Sequence, residues 1–300
     1  MKFNHYLKAC RQRFALTQEE LVAKLFTYDD VFSKLDVVTL SRWERGITHP
    51  NEQRQKLIIQ SFQSNDKAIF PCFNIIDISQ IEEKITTIGI QSIIGKHKRF
   101  IINFPTEMVE ENAIRVVNIK EMLTSKSHMA MAYSIYTKMT KNNLEITLES
   151  FTQWALHPSS LFLFILYKDQ FFGMLFSIHI KPDIFKKLMH FELLEKDLRE
   201  TDLSLLDEKG CNYPLGFFAY TEQSASLLIL RYYAHLITHQ NNIEEVGCFP
   251  QTTEGEKFVA TLGLTAFKKH TIRDRQNYSY KALITDVLLN KYMLTVLFKS

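Results

Sequence analysis

Four cysteines in 300 residues, at positions 10, 72, 211 and 248, are too few and too scattered for a disulfide framework, and no two form a Cys-x-x-Cys pair. They read as reduced thiols in a cytoplasmic protein that binds no metal. Of the histidines, only His235 and His239 share a metal-like spacing, and with no third ligand in view they read as surface residues on a helix. Long apolar runs are missing too. The longest, Leu161 to Tyr167, stops at Lys168 and is far too short to cross a bilayer. The start, Met-Lys-Phe-Asn-His-Tyr, has no signal-peptide core. There is no Gly-x-Ser-x-Gly elbow and no phosphate-binding P-loop. A membrane protein, a secreted disulfide scaffold and a serine hydrolase are thereby set aside.

What is present is apolar material enough for a packed core: 46% of residues are hydrophobic and 12% aromatic. The length calls for more than one domain. The net charge of +3 is unevenly placed, because residues 1–63 hold ten Lys/Arg against seven Asp/Glu and the rest of the chain is balanced. A small basic excess confined to the first part points to a phosphate-bearing partner there.

That first part is organised around Thr39-Leu40-Ser41-Arg42-Trp43-Glu44-Arg45-Gly46. Leu40 and Trp43 share one helix face, Thr39 and Arg42 lie off it, and glycine closes the helix. Thr17-Gln18-Glu19-Glu20 has the spacing of a capping box and opens a preceding helix through Leu21 and Leu25. Tyr6 to Arg13 reads as a helix before that, and Pro50 to Phe62 as a fourth. Asp36 is placed to cap the helix that carries Trp43.

Taken together, Leu-Lys-x-x-Arg, Leu-Thr-Gln-Glu-Glu-Leu and Ser-Arg-Trp-Glu-Arg-Gly-x-x-x-Pro resemble the Cro/phage-repressor (XRE) type of helix-turn-helix. The resemblance implies an Arg11–Glu44 pair, base contacts from Thr39 and Arg42, and phosphate contacts from Gln18, Ser41 and Arg45. It further implies double-stranded DNA as partner and a homodimer on an inverted repeat. The connection Phe26 to Asp36 is several residues longer than the family's usual turn.

After an expected exit at Asn65 to Phe73, Asp77 to Ile94 carries an isoleucine stripe at helical spacing, and Lys96-His97-Lys98-Arg99 is a basic turn. From about residue 112 the pattern alternates. Strands are expected at 114–118, 161–167, 171–180, 216–220, 243–249, 264–267 and 278–284. Helices are expected at 127–139, 147–156, 224–239, 254–262 and 287–298, with a charged helical insertion over 184–206.

This order, with Glu256-Lys-Phe-Val-Ala-Thr-Leu-Gly-Leu264, resembles the GNAT N-acetyltransferase superfamily. The fold class expected is thus multidomain: an all-α helix-turn-helix domain (1–64), a connecting segment (65–111) and an α/β GNAT-like domain with a mixed central sheet (112–300). The resemblance implies an acyl-CoA pyrophosphate at the start of the long helix, at Gln223, Ser224, Ala225 and Ser226, with acetyl-CoA or another acyl-CoA as cofactor. The motif's small positions are Ser226 and Leu228 here, Glu222 adds negative charge, and Phe258 stands in the helix that carries the family's tyrosine acid. No catalytic residue is therefore assigned. The expectation is a DNA-binding transcriptional regulator whose second domain senses a small-molecule effector or dimerises. The alternatives are an N-acetyltransferase tethered to DNA and an interaction module.

Overall fold

The computed structural model describes residues 2–63, 114–122, 126–139, 146–272 and 275–298. The expected exit at 65–73, the isoleucine stripe and the basic turn at 96–99 lie outside the described residues. The chain divides into two units, Met1–Thr87 with Leu288–Ser300, and Ile88–Val287.

In the first unit, α1 (Phe3–Arg13), α2 (Gln18–Tyr28), α3 (Val37–Glu44) and α4 (Glu52–Gln63) enclose a small core of Tyr6, Leu7, Leu21, Leu25, Leu40 and Phe62. Local chemistry sets the helix ends. Thr17 Oγ1 accepts from the Glu20 N–H (3.1 Å) while Glu20 Oε2 accepts from the Thr17 N–H (2.7 Å), closing the capping box. Asp36 Oδ1 accepts from the Thr39 N–H at 2.6 Å and opens α3. Gly46, at φ +72°, ends α3, and the Ile47 N–H returns to the Arg42 carbonyl (2.9 Å). The long connection from α2 to α3 is a built element. Asp29 caps a single 3₁₀ turn, Asp30–Phe32, which drives Phe32 fully into the core.

The second unit is a seven-stranded mixed sheet: β1 (Ile114–Asn118), β2 (Leu161–Tyr167), β3 (Gln170–Ile180), β4 (Gly210–Ala219), β5 (Ile243–Cys248), β6 (Thr265–Ile272) and β7 (Arg275–Leu283). Its order is β1-β2-β3-β4-β5-β7-β6, and only β4 with β5 is parallel. Such a sheet is consistent with a GNAT-like α/β fold. Lys168 and Asp169, at φ +49° and +61°, form the two-residue turn of the β2–β3 hairpin. The central strands are buried on both faces because helices cover both. On one side α5 (Lys126–Met139), α6 (Leu148–Leu156) and α7 (Pro182–Met189) pack around Phe151, which meets Phe162 and Phe176 edge-on at 5.7 and 5.1 Å. On the other lies α8 (Glu222–Thr238), against β2, β3 and β4. Helix α9 (Thr253–Thr261) packs against β6 and β7.

Two elements differ from the sequence expectation. The insertion over 184–206 is no continuous helix: α7 ends at Met189, and the chain turns through Phe191 at φ +59° into two short 3₁₀ turns. The C-terminal apolar helix is also split, into α10 (Ile284–Leu288) and α11 (Lys291–Phe298). Residues 288–300 then group with the helical unit rather than with the sheet they follow. The reason is apolar packing. Phe298 lies edge-on to Phe3 at 5.1 Å and against Tyr6 at 5.3 Å, with Met293 and Leu294 buried beside it. Among the described residues, no helix is long and apolar enough to cross a membrane.

Candidate functional site

The parallel pair at the middle of the sheet is short. β4 and β5 are in register only at Gly210–Ile243 and Asn212–Val246. Beyond that point β4 stays paired with β3 as far as Ala219, and β5 stays paired with β7 as far as Cys248. The two strands therefore part towards their C-terminal ends, where open α/β sheets take their ligands. A cavity of about 360 Å³ occupies the opening. Its walls come from β4 (Leu215 to Phe218), α8 (Ile229, Tyr232, Tyr233), the end of β5 (Val246, Cys248) and α9 (Phe258, Val259, Leu262). Tyr136 reaches it from α5, so the opening is lined from both helical layers.

Among the described residues, no Asp, Glu, Lys, Arg or His lines this cavity. The hydroxyls of Tyr136 and Tyr232 are tied into the walls. Tyr232 donates to Asn212 Oδ1 at 2.6 Å, and the Ser177 hydroxyl donates to the same oxygen at 2.6 Å. Tyr136 donates to Glu195 Oε2 at 3.2 Å, and Tyr213 donates to Glu195 Oε1. Glu195 is 6% exposed, on the first 3₁₀ turn after α7. Burial pushes its carboxyl above the ordinary value, and the two tyrosine hydroxyls pull it back only in part. Burial, with the adjacent Glu195, holds the Tyr136 and Tyr213 phenols well above their usual range. Cys248, at the cavity wall, is pushed up to about 12 by burial and so stays a thiol. A thiolate nucleophile is excluded there. Behind the cavity wall stands a carboxylate, Glu195, reached through the Tyr136 phenol.

The residues expected to hold acyl-CoA are placed as follows. Ser224, Ala225 and Ser226 are buried in the first turns of α8. The Ser224 N–H is taken by Thr221 Oγ1 (3.1 Å), and the Thr221 N–H by Ser224 Oγ (3.0 Å). Gln223 stands at the second position of α8, one residue before the capped Ser224. Leu228, at the motif's second small position, is fully buried against β3, where a Cβ built on Gly173 would lie 3.4 Å from its Cδ1.

In the helical unit, Arg11 Nε and Nη2 grip Glu44 at 2.6 and 3.1 Å, and Gln18 Nε2 donates to the same carboxylate at 2.7 Å. Gln18, expected at a phosphate, is thus turned inward. Thr39 and Ser41 are half-buried, while Arg42 on α3 and Arg45 just past its end are exposed. Arg45 Nε folds back onto the Ser41 carbonyl at 3.2 Å.

His235 and His239, expected as surface residues on a helix, are both half-buried at the end of α8; burial beside His239 and His179 pushes His235 down to about 3, and its ring centroid lies 4.7 Å from that of His239. Among the described residues no group of three or more His, Cys, Asp or Glu could hold a metal ion. Glu195 was missed by the sequence reading, and its signal was slight: it sits in a charged stretch whose buried neighbour Leu198 alone hints at an inward turn.

No protein-family model matches the sequence, and no curated protein matches it. Several solved structures are similar in part, two of them as follows. FeeM, an N-acyl amino acid synthase from uncultured soil microbes, is 12% identical with a TM-score of 0.42, over 60% of this chain and 95% of that one. An aminoglycoside N(6')acetyltransferase from Legionella pneumophila is 12% identical with a TM-score of 0.34, over 61% of this chain and 98% of that one. At these identities and scores neither assigns an activity to this chain.

Proposed function

We propose that the sheet unit is an acyltransferase that binds an acyl thioester, such as an acyl-CoA, and passes the acyl group to an amine. The observation that carries this is the parting of β4 from β5 over an apolar cavity with one buried carboxylate behind it. A parted strand leaves backbone N–H and C=O groups that need partners, and the amides and carbonyl of a thioester arm supply them. In the transfer, the amine nitrogen forms a bond to the acyl carbon and the carbon–sulfur bond breaks. The proton lost by nitrogen passes to the Tyr136–Glu195 pair and returns to the departing thiolate. Tyr136 lines the cavity and would touch the reacting atoms; Glu195 acts through it. Of the three sequence arguments for a non-catalytic domain, two lose their force here, and the charge of Glu222 stands. Leu228 packs inward, and the role of the family's tyrosine can be taken from α5.

The test is thiol release from acyl-CoA by the full chain, with and without a panel of primary amines. Amine-dependent release is the expected result. Binding without release for any amine would reduce the unit to an acyl-thioester sensor.

A second reading concerns the helical unit, and rests on α3: two exposed arginines, on and just past a helix fixed from behind by Leu40, Trp43 and the Glu44 clamp. We infer that this face meets double-stranded DNA. Arg42→Ala should then lower affinity for a selected duplex by about 1–3 kcal/mol and relax preference at one base pair. Unchanged affinity and unchanged base preference in a mobility-shift series would remove α3 as the reading helix.

A further inference from the structure

The cavity's chemistry goes further than the thioester itself. We propose that it takes the hydrocarbon tail of an acyl group on the order of ten carbons long, so that the donor is a medium-chain acyl thioester rather than acetyl-CoA. This rests on the acyltransferase reading of the same site. Three observations carry it.

The first is volume. An apolar protein cavity of about 150 Å³ accepts a benzene molecule, and this one is about 360 Å³. An acetyl group would leave most of it unfilled, and cavity lining without contacts forfeits packing energy. The second is the lining, which among the described residues holds no ionisable side chain beyond tyrosine and cysteine and is rich in aromatic rings, with Phe217, Phe218, Phe249 and Phe258 beside three tyrosines around one space. The third is the state of the polar atoms. Tyr136 and Tyr232 spend their hydroxyls on Glu195 and Asn212, and Thr252 spends its Oγ1 on the Gly255 N–H at 3.0 Å. A polar ligand portion such as a pantetheine amide would find few side-chain partners inside, and burying it unpaired is costly. It belongs at the parted edge of β4, with the tail within.

The test uses the full chain and a series of acetyl-, hexanoyl- and decanoyl-CoA, with affinity read by calorimetry. Each methylene buried is worth about a fourfold gain in affinity, so decanoyl-CoA should bind at least about a hundredfold more tightly than acetyl-CoA. Decanoyl-pantetheine, which lacks the nucleotide, should show the same gain over acetyl-pantetheine, because the gain belongs to the tail. Val259→Trp, at the half-buried α9 wall, should shift the preferred length to shorter chains. Equal affinity for acetyl and decanoyl would overturn the chain-length assignment and leave the thioester site standing, with the pantetheine arm in the cavity. No binding at any length would remove the thioester reading as well.

Discussion

Glu195→Gln should slow acyl transfer at least about a hundredfold, the low end of what a positioned proton acceptor contributes, while acyl-CoA still binds. The substitution keeps the side chain's shape and one acceptor oxygen for Tyr136 or Tyr213, removes the charge, and turns the other oxygen into an amide donor, whose hydrogen bond the second tyrosine can accept by rotating its hydroxyl. The charged form is what catalysis needs, so the pH profile discriminates. With the rate expressed per unprotonated amine, the wild-type rate should fall as pH drops through the Glu195 pKa, which burial holds above the usual 4.5. The groups facing that carboxylate are Tyr136, Tyr213 and Cys248, all held protonated well above neutral pH, so among them the remaining acid limb belongs to Glu195. In the variant the limb should vanish. Stability should move the other way. Below pH 4.5 the carboxyl is neutral in both folded and unfolded chains. As pH rises, the unfolded chain releases its proton first, so stability falls until the raised folded pKa is passed and then stays at the lower level. Glutamine escapes that loss, and the variant should unfold at an equal or higher temperature at neutral pH. A variant that loses activity and melting temperature together would make Glu195 a structural tie for the turn after α7, not part of the chemistry.

Why the sequence reading passed over this residue is a matter of distance along the chain. Glu195 has its hydrogen-bond partners 59 and 18 residues away, and within Phe191-Glu-Leu-Leu-Glu-Lys-Asp-Leu198 nothing local separates it from Glu192, which is exposed. Features written into neighbouring residues were legible. Strand bounds at Ile114–Asn118 and Leu161–Tyr167 follow from short apolar runs between polar turns. The Thr17 and Asp36 caps and the Gly46 stop follow from residue type at fixed spacing. The Arg11–Glu44 pair, 33 residues apart, came from family resemblance and not from periodicity. The cavity could not be read at all, since it depends on where β4 loses its register with β5, and no residue type marks that place. Likewise Leu228 packs beside Gly173, a residue on another strand 55 positions earlier in the chain. The C-terminal helix was legible as apolar, but the partner that covers it, the Phe3–Tyr6 edge of α1, lies almost the whole chain away.

Glu44→Ala should destabilise the helical unit by about 3–5 kcal/mol, the usual result of removing one partner from a buried ion pair. The Glu44 side chain is 4% exposed and that of Arg11 16%, so solvent does little to screen them. The carboxylate accepts from Arg11 twice and from Gln18 once, and hydrogen bonding to Glu44 raises the Arg11 pKa, so the guanidinium stays charged at every accessible pH. Its loss leaves that cation without its acceptor between α1 and the end of α3. Replacing both members, Arg11→Met with Glu44→Leu, should restore most of the stability, because the desolvation cost goes with the charges. Trp43, beside Glu44 and buried, reports the unit's unfolding in denaturant once Trp154 is changed to Phe. The same pair of variants separates stability from recognition. If the clamp fixes the direction in which α3 presents Arg42 and Arg45, the double variant should fold yet bind duplex DNA less tightly than the wild type, since apolar contact lacks the bidentate geometry. A loss below about 1 kcal/mol for Glu44→Ala, the range of an exposed pair, would mean that Leu40 and Trp43 alone hold α3 in place.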